Sequence, residues 1–341
     1  MLSKFIGAAV SFAAVALGAA VPAHASPTRY HVTVVAPSLP ASGTAYAINS
    51  KAVVAGYNDN ASTFARDGTV TSLGTLGGPL SFAYGINTHG VVVGMAYDTA
   101  FKQRAFRWAD GTMGELEQPG ASIGSTASAI NDNGQVAGFA TMGNGLAQGV
   151  VWKGSSIAAT IAPLPGMDYD QATAISAVGH VAGTSGVHGT GLTHAFLFAD
   201  GQLTDLQAGD GTLTTLGYGI NASDEVVGQM QQTINGKVVT QAFLHAGGLF
   251  TPLGFARPGD TWSVARAIND DGVVVGQSGG GTPYTAFVYD GTTMSELITR
   301  VKNPAGWVLV NASAINRKGQ ITGNGLYNGK WTMFLATPVK E

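Results

Sequence analysis

The sequence predicts an all-β fold, namely a seven-bladed β-propeller with four antiparallel strands in each blade. Three observations lead to this prediction. One phrase recurs seven times, short strand-like runs separated by tight turns fill each repeat, and the two ends of the chain complement each other. The repeat period is near 45 residues, which lies within the range for four-stranded propeller blades.

The recurring phrase consists of a small residue, Ile-Asn, three residues that usually end in Gly, a β-branched pair and a closing Gly. Successive copies of its Ile are 38 to 48 residues apart. Three positions depart from the pattern: Ala52 and Asp224 replace the turn Gly, and Ser176 replaces Asn. With the small residues that precede Ile, the copies occupy 45–56, 83–94, 127–138, 172–183, 217–228, 265–276 and 312–323.

Each repeat except the last contains the signals for four strands. Small residues before Ile indicate the innermost strand, because bulky side chains would not fit where seven strands converge. The Asn and Gly then suit a hairpin, since Asn bonds its own backbone and Gly adopts left-handed angles. A run such as Ala195-Phe196-Leu197-Phe198 reads as the third strand, and Asp200-Gly201 suits the tight turn to the fourth.

The two ends of the chain indicate how the ring closes. Only six residues follow the run 331–335, so the last repeat lacks a fourth strand. The alternating, β-branched run 30–35 precedes the first repeat, where such a strand is available. We expect the two to pair, which would leave no long open edge. The alternative is a linear solenoid, which would need polar capping repeats.

The first 25 residues have the three parts of a secretory signal peptide. Lys4 provides the positive start, 5–21 is apolar, and Ala23 and Ala25 form a small-residue cleavage site. The alternative is an uncleaved anchor, because about 17 apolar residues can span a membrane. We expect cleavage, a mature chain 26–341 that forms a single propeller domain without a membrane span, and a secreted or periplasmic location.

Composition excludes several classes of protein. Charged residues make up 11% of the chain and its net charge is −3, so neither a disordered polyelectrolyte nor binding to nucleic acid is expected. The chain has no Cys, which excludes disulfides and thiolate sites. We expect a monomer stabilised by its core.

Three phrases together resemble the bacterial extracellular HAF repeat family. They are His194-Ala195-Phe196 with its variants, the run Leu73-Gly74-Thr75-Leu76-Gly77-Gly78, and Ile-Asn-x-x-Gly-x-Val-x-Gly. The resemblance covers nearly the whole mature chain. It implies an exported bacterial β-repeat protein and supplies no established catalytic residues.

Motifs for metal binding or catalysis are weak. His188 and His194 flank a Gly-rich turn but make no complete site. The run 131–134 resembles a calcium loop, yet a strand resumes directly after it. No Gly-x-Ser-x-Gly elbow is present. We therefore predict neither a metal nor a cofactor, and assign no catalytic residues.

The candidate ligand site lies in loops that enter the first strands or join second to third strands, which share one face of the propeller. Aromatic rings beside carboxylates on a rigid scaffold suit sugar stacking or a protein partner. In the alternative reading, Trp262 and Trp307 cover the core between blades. The candidate residues are Tyr97, Asp98, Asp168, Tyr169, Asp170, Asp260, Trp262, Tyr284 and Trp307.

The functional prediction is a secreted protein that binds a carbohydrate or a cell-surface protein through this face. One alternative is a polysaccharide hydrolase or lyase, with Asp168, Asp170 and Asp260 as candidate acids. Two facing carboxylates about 5 to 9.5 Å apart would favour glycosidase chemistry. Another alternative is a structural protein of the envelope or matrix, which a featureless channel would favour.

Overall fold

The computed structural model describes residues 29–35, 43–207, 214–234, 236–280 and 284–339. The predicted signal peptide, 1–25, lies outside the described residues. Within the described ranges, no helix is long and apolar enough to cross a membrane.

Short strands make up nearly all of the regular structure, and one 3-10 helix, Leu297–Arg300, follows β25. In chain order, the strands are β1 (Tyr30–Val35); β2 (Thr44–Ile48), β3 (Val54–Asn58), β4 (Asn60–Phe64), β5 (Val70–Gly74); β6 (Gly77–Ile86), β7 (Val92–Asp98), β8 (Gln103–Ala109), β9 (Thr112–Glu115); β10 (Ser122–Ile130), β11 (Gln135–Met142), β12 (Ala147–Lys153), β13 (Ser156–Thr160); β14 (Tyr169–Ile175), β15 (Val181–Gly186), β16 (Thr193–Ala199), β17 (Gln202–Asp205); β18 (Thr214–Ile220), β19 (Val226–Ile234), β20 (Lys237–Ala246), β21 (Leu249–Gly254); β22 (Trp262–Ile268), β23 (Val274–Gly279), β24 (Thr285–Tyr289), β25 (Met294–Glu296); β26 (Trp307–Ile315), β27 (Ile321–Tyr327) and β28 (Lys330–Pro338).

Antiparallel pairing divides these strands into four-stranded units. β2 to β25 form six consecutive units, and β26, β27 and β28 combine with β1 in a seventh. A parallel bridge between Thr240 and Trp262 also joins the fifth and sixth units. The first strands of neighbouring units contact one another in a circle, from β2 through β6, β10, β14, β18 and β22 to β26, which contacts β2. The predicted all-β propeller is confirmed, and the pairing is compatible with seven blades.

The ring closes through β1, as the complementary ends of the sequence predict. β1 runs antiparallel to β28, with Tyr30 opposite Pro338 and Val35 opposite Met333. The backbone carbonyl of Tyr30 also accepts a hydrogen bond of 2.8 Å from the Lys302 amide. The strand from the start of the chain therefore covers the outer edge of the last unit.

The core lies between neighbouring units. Leu73 of the first unit, for example, packs in one cluster with Ile86 of the second. The third strand of each unit contributes one fully buried aromatic side chain. In five units this residue lies opposite the closing Gly of the repeat. In β4 and β12 it lies two residues after that position, on the same face of the strand. These aromatic residues are Phe64, Phe106, Trp152, Phe196, Phe243, Phe287 and Phe334.

Candidate binding site in the central channel

A β-bulge interrupts the first strand of every unit at the same position of the repeat. In β2, for instance, the register shifts between Ala45 and Ala47, and Tyr46 is the extra residue. Bulges re-aim side chains and are common beside functional sites. We call the seven extra residues the bulge ring. They are Tyr46, Tyr84, Ser128, Thr173, Tyr218, Arg266 and Ser313.

The local sequence explains why the bulge forms here. Small residues flank each extra residue, and the closing Gly of the repeat lies opposite on the second strand, as Gly56 does opposite Ala45. A Cβ on Gly56 would clash with the backbone carbonyl oxygen of Thr44, and the other six closing glycines have the same close contact. The closing Gly is therefore required by the close approach of two backbones at the bulge.

The bulge ring lines one cavity with a volume of about 570 Å³. Met95, Gln103, Thr126 and Phe139 complete its wall. Because the first strands form the innermost circle, this cavity is the wide part of the central channel. We call it the channel cavity.

The first two units contribute two aromatic rings to the wall, and two further rings pack behind them. Tyr46 and Tyr84 meet edge to face with ring centroids 5.2 Å apart. Phe82 stacks on both Tyr57 and Tyr84, at 4.7 and 6.1 Å. Burial raises the pKa of Tyr84 to about 12 and also raises that of Tyr46, so both phenols are uncharged hydrogen-bonding groups at neutral pH.

The fifth and sixth units contribute a cation. The Arg266 guanidinium lies 5.0 Å from the centroid of the Tyr218 ring, within the range of a cation–π contact. Arg266 is exposed, and among the described residues no carboxylate lies within ion-pair distance of it. The residues of the channel cavity include no Asp, Glu or His. Arg266 is therefore the one charged group on this wall.

Uncharged polar groups, together with Met95 and Phe139, occupy the remaining wall. The Gln103 Nε2 atom donates to the Thr126 hydroxyl at 2.6 Å. The Thr173 hydroxyl donates to the backbone carbonyl of Gly217 at 2.8 Å, which joins the fourth and fifth units. The seven equivalent positions thus carry four types of side chain, and the wall is asymmetric.

The other end of the channel is narrow. A cavity of about 200 Å³ lies there, lined by the Ile of all seven repeats and by neighbouring turn residues. The Arg317 guanidinium of the seventh unit pairs with the Asp132 carboxylate of the third unit. Since these units are not neighbours, the ion pair crosses the narrow mouth of the channel.

The aromatic residues predicted to bind ligand lie in separate units. Trp262 meets Tyr284 edge to face at 5.1 Å in the sixth unit. Trp307 contacts Tyr327 at 4.7 Å and Phe334 at 6.4 Å in the seventh. Trp307 therefore packs partly against the core.

Tyr97 and Tyr169 are half-buried in the second and fourth units. Tyr97 pairs with Gln103, the first residue of β8. The Tyr169 hydroxyl oxygen lies 2.6 Å from the position that a Cβ on Gly186 would occupy. Neither tyrosine lines the channel cavity.

Three predicted carboxylates are engaged in local turns. Asp98 accepts hydrogen bonds from the Lys102 amide at 2.9 Å and from Arg104 at 3.1 Å. Asp168 accepts one from the His188 amide at 2.8 Å. Asp260 pairs with Arg257 at 3.2 Å and accepts from the Ser278 hydroxyl. Each carboxylate holds its loop in shape.

Asp170 is fully buried between the third and fourth units. Its Oδ2 atom accepts a hydrogen bond of 3.1 Å from the Gly149 amide, whereas Oδ1 has no partner among the described residues. Burial raises the pKa of this carboxyl to about 7. Asp170 therefore faces the core between these two units.

None of the nine predicted residues lines the channel cavity. The sequence contains a signal for the residues of the bulge ring. Each of them lies between the two small residues that precede Ile, and this position varies more than its neighbours. In three repeats it is Tyr and in one it is Arg.

Within the described ranges, no three His or acidic side chains gather as metal ligands.

Comparisons with known proteins address the fold. Neither a protein-family model nor a curated protein sequence matches this chain. The β-propeller domain of the trilobed protease from Pyrococcus furiosus is similar, with a TM-score of 0.53 and 8% identity over 92% of this chain and 95% of that chain. A puromycin-hydrolysing peptidase from Mycobacterium tuberculosis gives a TM-score of 0.52 and 15% identity over 89% of this chain and 52% of the peptidase. The chain is thus similar in fold to β-propellers.

Proposed function

We propose that this chain is an exported binding protein that holds a saccharide in the channel cavity. The observation that carries the proposal is the wall of that cavity, which combines half-buried tyrosine rings with uncharged polar groups. Its volume of about 570 Å³ falls within the roughly 300 to 1,000 Å³ of small-molecule sites. Rings that carry a polar group suit the apolar faces and hydroxyl edges of a sugar.

The alternatives receive less support from the same wall. A polysaccharide hydrolase of the two-carboxylate kind would need acids at the ligand, and the channel cavity has none. A purely structural role would not require a varied set of side chains at seven equivalent positions. A cell-surface protein would bind across the loop face, where the predicted rings are dispersed among units.

Export and family membership belong to the same proposal. The apolar leader supports secretion or release to the periplasm, and the three repeated phrases support membership of the HAF repeat family.

The test is a binding screen with the mature chain, 26–341, against short oligosaccharides. Isothermal titration and thermal unfolding are suitable, because a ligand that binds only the folded state stabilises it. We expect saturable binding that Tyr84→Ala weakens and that Trp262→Ala leaves unchanged. The matched control Tyr84→Phe keeps the ring, and we expect it to retain most of the affinity.

Two results would count against the proposal. If Trp262→Ala abolished binding and Tyr84→Ala did not, the site would lie on the loop face. If no saccharide bound at millimolar concentration, the saccharide proposal would fail. Circular dichroism of each variant identifies a loss of folding.

A further inference from the structure

We infer that the ligand is an acidic saccharide whose carboxylate binds Arg266. This inference rests on the proposed function and names the class of sugar. Its starting point is the contrast between Arg266 and the arginines that have acidic partners. Arg104, Arg300 and Arg317 each pair with a carboxylate, whereas Arg266 has no such partner among the described residues.

The position of Arg266 in the fold directs it to the channel. It is the extra residue of the bulge in β22, and it lines the channel cavity. Tyr218, from the neighbouring unit, supports the guanidinium from one side. A planar guanidinium held on an aromatic face keeps N–H groups available at its edge, and two of these match the two oxygens of a carboxylate.

The surrounding charges favour an anion. No carboxylate lines the cavity, and burial raises the pKa of Tyr46, Tyr84 and Tyr218, which keeps their phenols neutral. The single positive charge is therefore not offset within the cavity wall. A cleft whose wall carries one sign of charge raises the local concentration of ligands of the opposite charge.

The circular order of the units explains why a sugar acid fits better than a small inorganic anion. In a ring of seven, the sixth unit lies opposite the second and third. Arg266 therefore faces Tyr84 and Ser128 across the channel. A ligand that spans the cavity would place its acidic group on Arg266 and a ring face against the Tyr46–Tyr84 wall.

The test compares four disaccharides by isothermal titration against the mature chain: digalacturonate, its methyl ester, neutral galactobiose and a sulfated galactobiose. The ester keeps the ring and removes the charge. We expect the affinity for digalacturonate to exceed that for the ester by roughly tenfold or more, in line with the strength of charged hydrogen bonds. This affinity should fall as the salt concentration rises. Binding of the ester or galactobiose with equal affinity would overturn the inference and leave the proposed function in place.

Variants locate the anion site. Arg266→Gln should reduce digalacturonate affinity to that of the ester, and Arg266→Lys should restore part of it. Arg66→Gln is the matched control, because it removes the same charge from an exposed turn that does not line the channel cavity. If Arg266→Gln and Arg66→Gln had equal effects, the inference would be wrong. Preference for the sulfated sugar would overturn the carboxylate assignment, and failure of all four disaccharides would remove support from the proposed function as well.

Discussion

At the scale of single residues, Asp170 occupies a position where other units carry a hydroxyl. The side chains of Ser81, Ser125, Thr215 and Ser263 each accept a hydrogen bond of 2.8 to 2.9 Å from a third-strand amide of the preceding unit. Asp170 does the same with Gly149, but it adds a second oxygen that has no partner. A buried carboxylate without sufficient partners is costly, so the carboxyl favours its protonated form.

We predict that Asp170→Ser stabilises the protein at neutral pH and removes a pH dependence. The folded pKa of Asp170, about 7, exceeds its ordinary value of 3.8. The folded state therefore binds more protons between these values, and the wild-type free energy of unfolding should fall as pH rises from about 4 to 7. Each unit of pKa difference corresponds to about 1.4 kcal/mol. Urea unfolding of both proteins at several pH values checks this, and parallel pH profiles would contradict it.

The side chains of the candidate site are less predictable from the sequence than the strands that carry them. Small residues beside each Ile predict an inner strand correctly. The bulge adds one residue per strand, however, and changes which side chain faces the channel. Simple alternation cannot reveal that change, so the sequence points to rings and carboxylates near the strand ends rather than to Tyr46 and Arg266. The charge of Asp170 makes it a candidate in the sequence, although its burial depends on the neighbouring unit.

At the scale of elements, the inner hairpin turns are joined around the channel by asparagine side chains. The Asn49 side-chain amide donates to the backbone carbonyl of Asn87 in the second unit. The Asn316 side chain of the seventh unit donates to the backbone carbonyl of Asn49 at 2.8 Å, which closes the circle. The equivalent side chains of Asn87, Asn131, Asn221 and Asn269 also donate to the next unit. Ser176 is too short to continue this chain. Instead, His180 Nδ1 meets an Asp224 carboxylate oxygen at 2.7 Å between the same two units.

Ser176→Asn should complete the chain of hydrogen bonds. We expect a gain of about 1 kcal/mol in the free energy of unfolding, the usual net value of one intramolecular hydrogen bond. Asn316→Ser is the reverse change at the equivalent position and should cost a similar amount or more. Chemical denaturation measures both, and a loss of stability in Ser176→Asn would mean that His180 and Asp224 already fill the space.

A second prediction concerns the bulges. Gly94→Ala should destabilise the protein by roughly 1 to 3 kcal/mol, the usual cost of overpacking, because the new methyl group would collide with the Phe82 carbonyl. Gly114 lies in the same unit, and the nearest atom to a new Cβ there is 3.9 Å away. Gly114→Ala should therefore leave the stability nearly unchanged. Thermal unfolding of the pair tests this, and equal midpoints would show that the bulge relaxes.

At the scale of the whole molecule, β1 provides the closing contact. It covers β28 with a full antiparallel ladder and buries Tyr30, Val32 and Val35. Without it, β28 would present a row of unpaired backbone groups, which promotes association.

Chains that begin at residue 26 and at residue 36 form a matched pair for testing this closure. We expect the shorter chain to unfold at a lower temperature and to associate through the exposed edge of β28. Size-exclusion chromatography with light scattering and thermal unfolding are the measurements. A monomeric shorter chain with an unchanged midpoint would show that β1 is dispensable.

The fold was more predictable than the site because it depends on signals that are repeated. Seven copies of one phrase predict one unit, and the run 30–35 predicts the closing strand. The channel depends instead on the differences between copies, whose three-dimensional relation becomes visible only when the strands converge. Arg317 and Asp132, for example, are 185 residues apart in the chain and meet across the narrow mouth.

The position of β1 also has a consequence for folding kinetics. Thr33 and Leu335 pair although 302 residues separate them. Contacts this distant in sequence form slowly, because loop entropy must be lost before the contact is gained. β1 therefore cannot pair until β28, the last strand in the described part of the chain, has been synthesised. Refolding should end in a slow docking step, during which six units are complete and the seventh is still open.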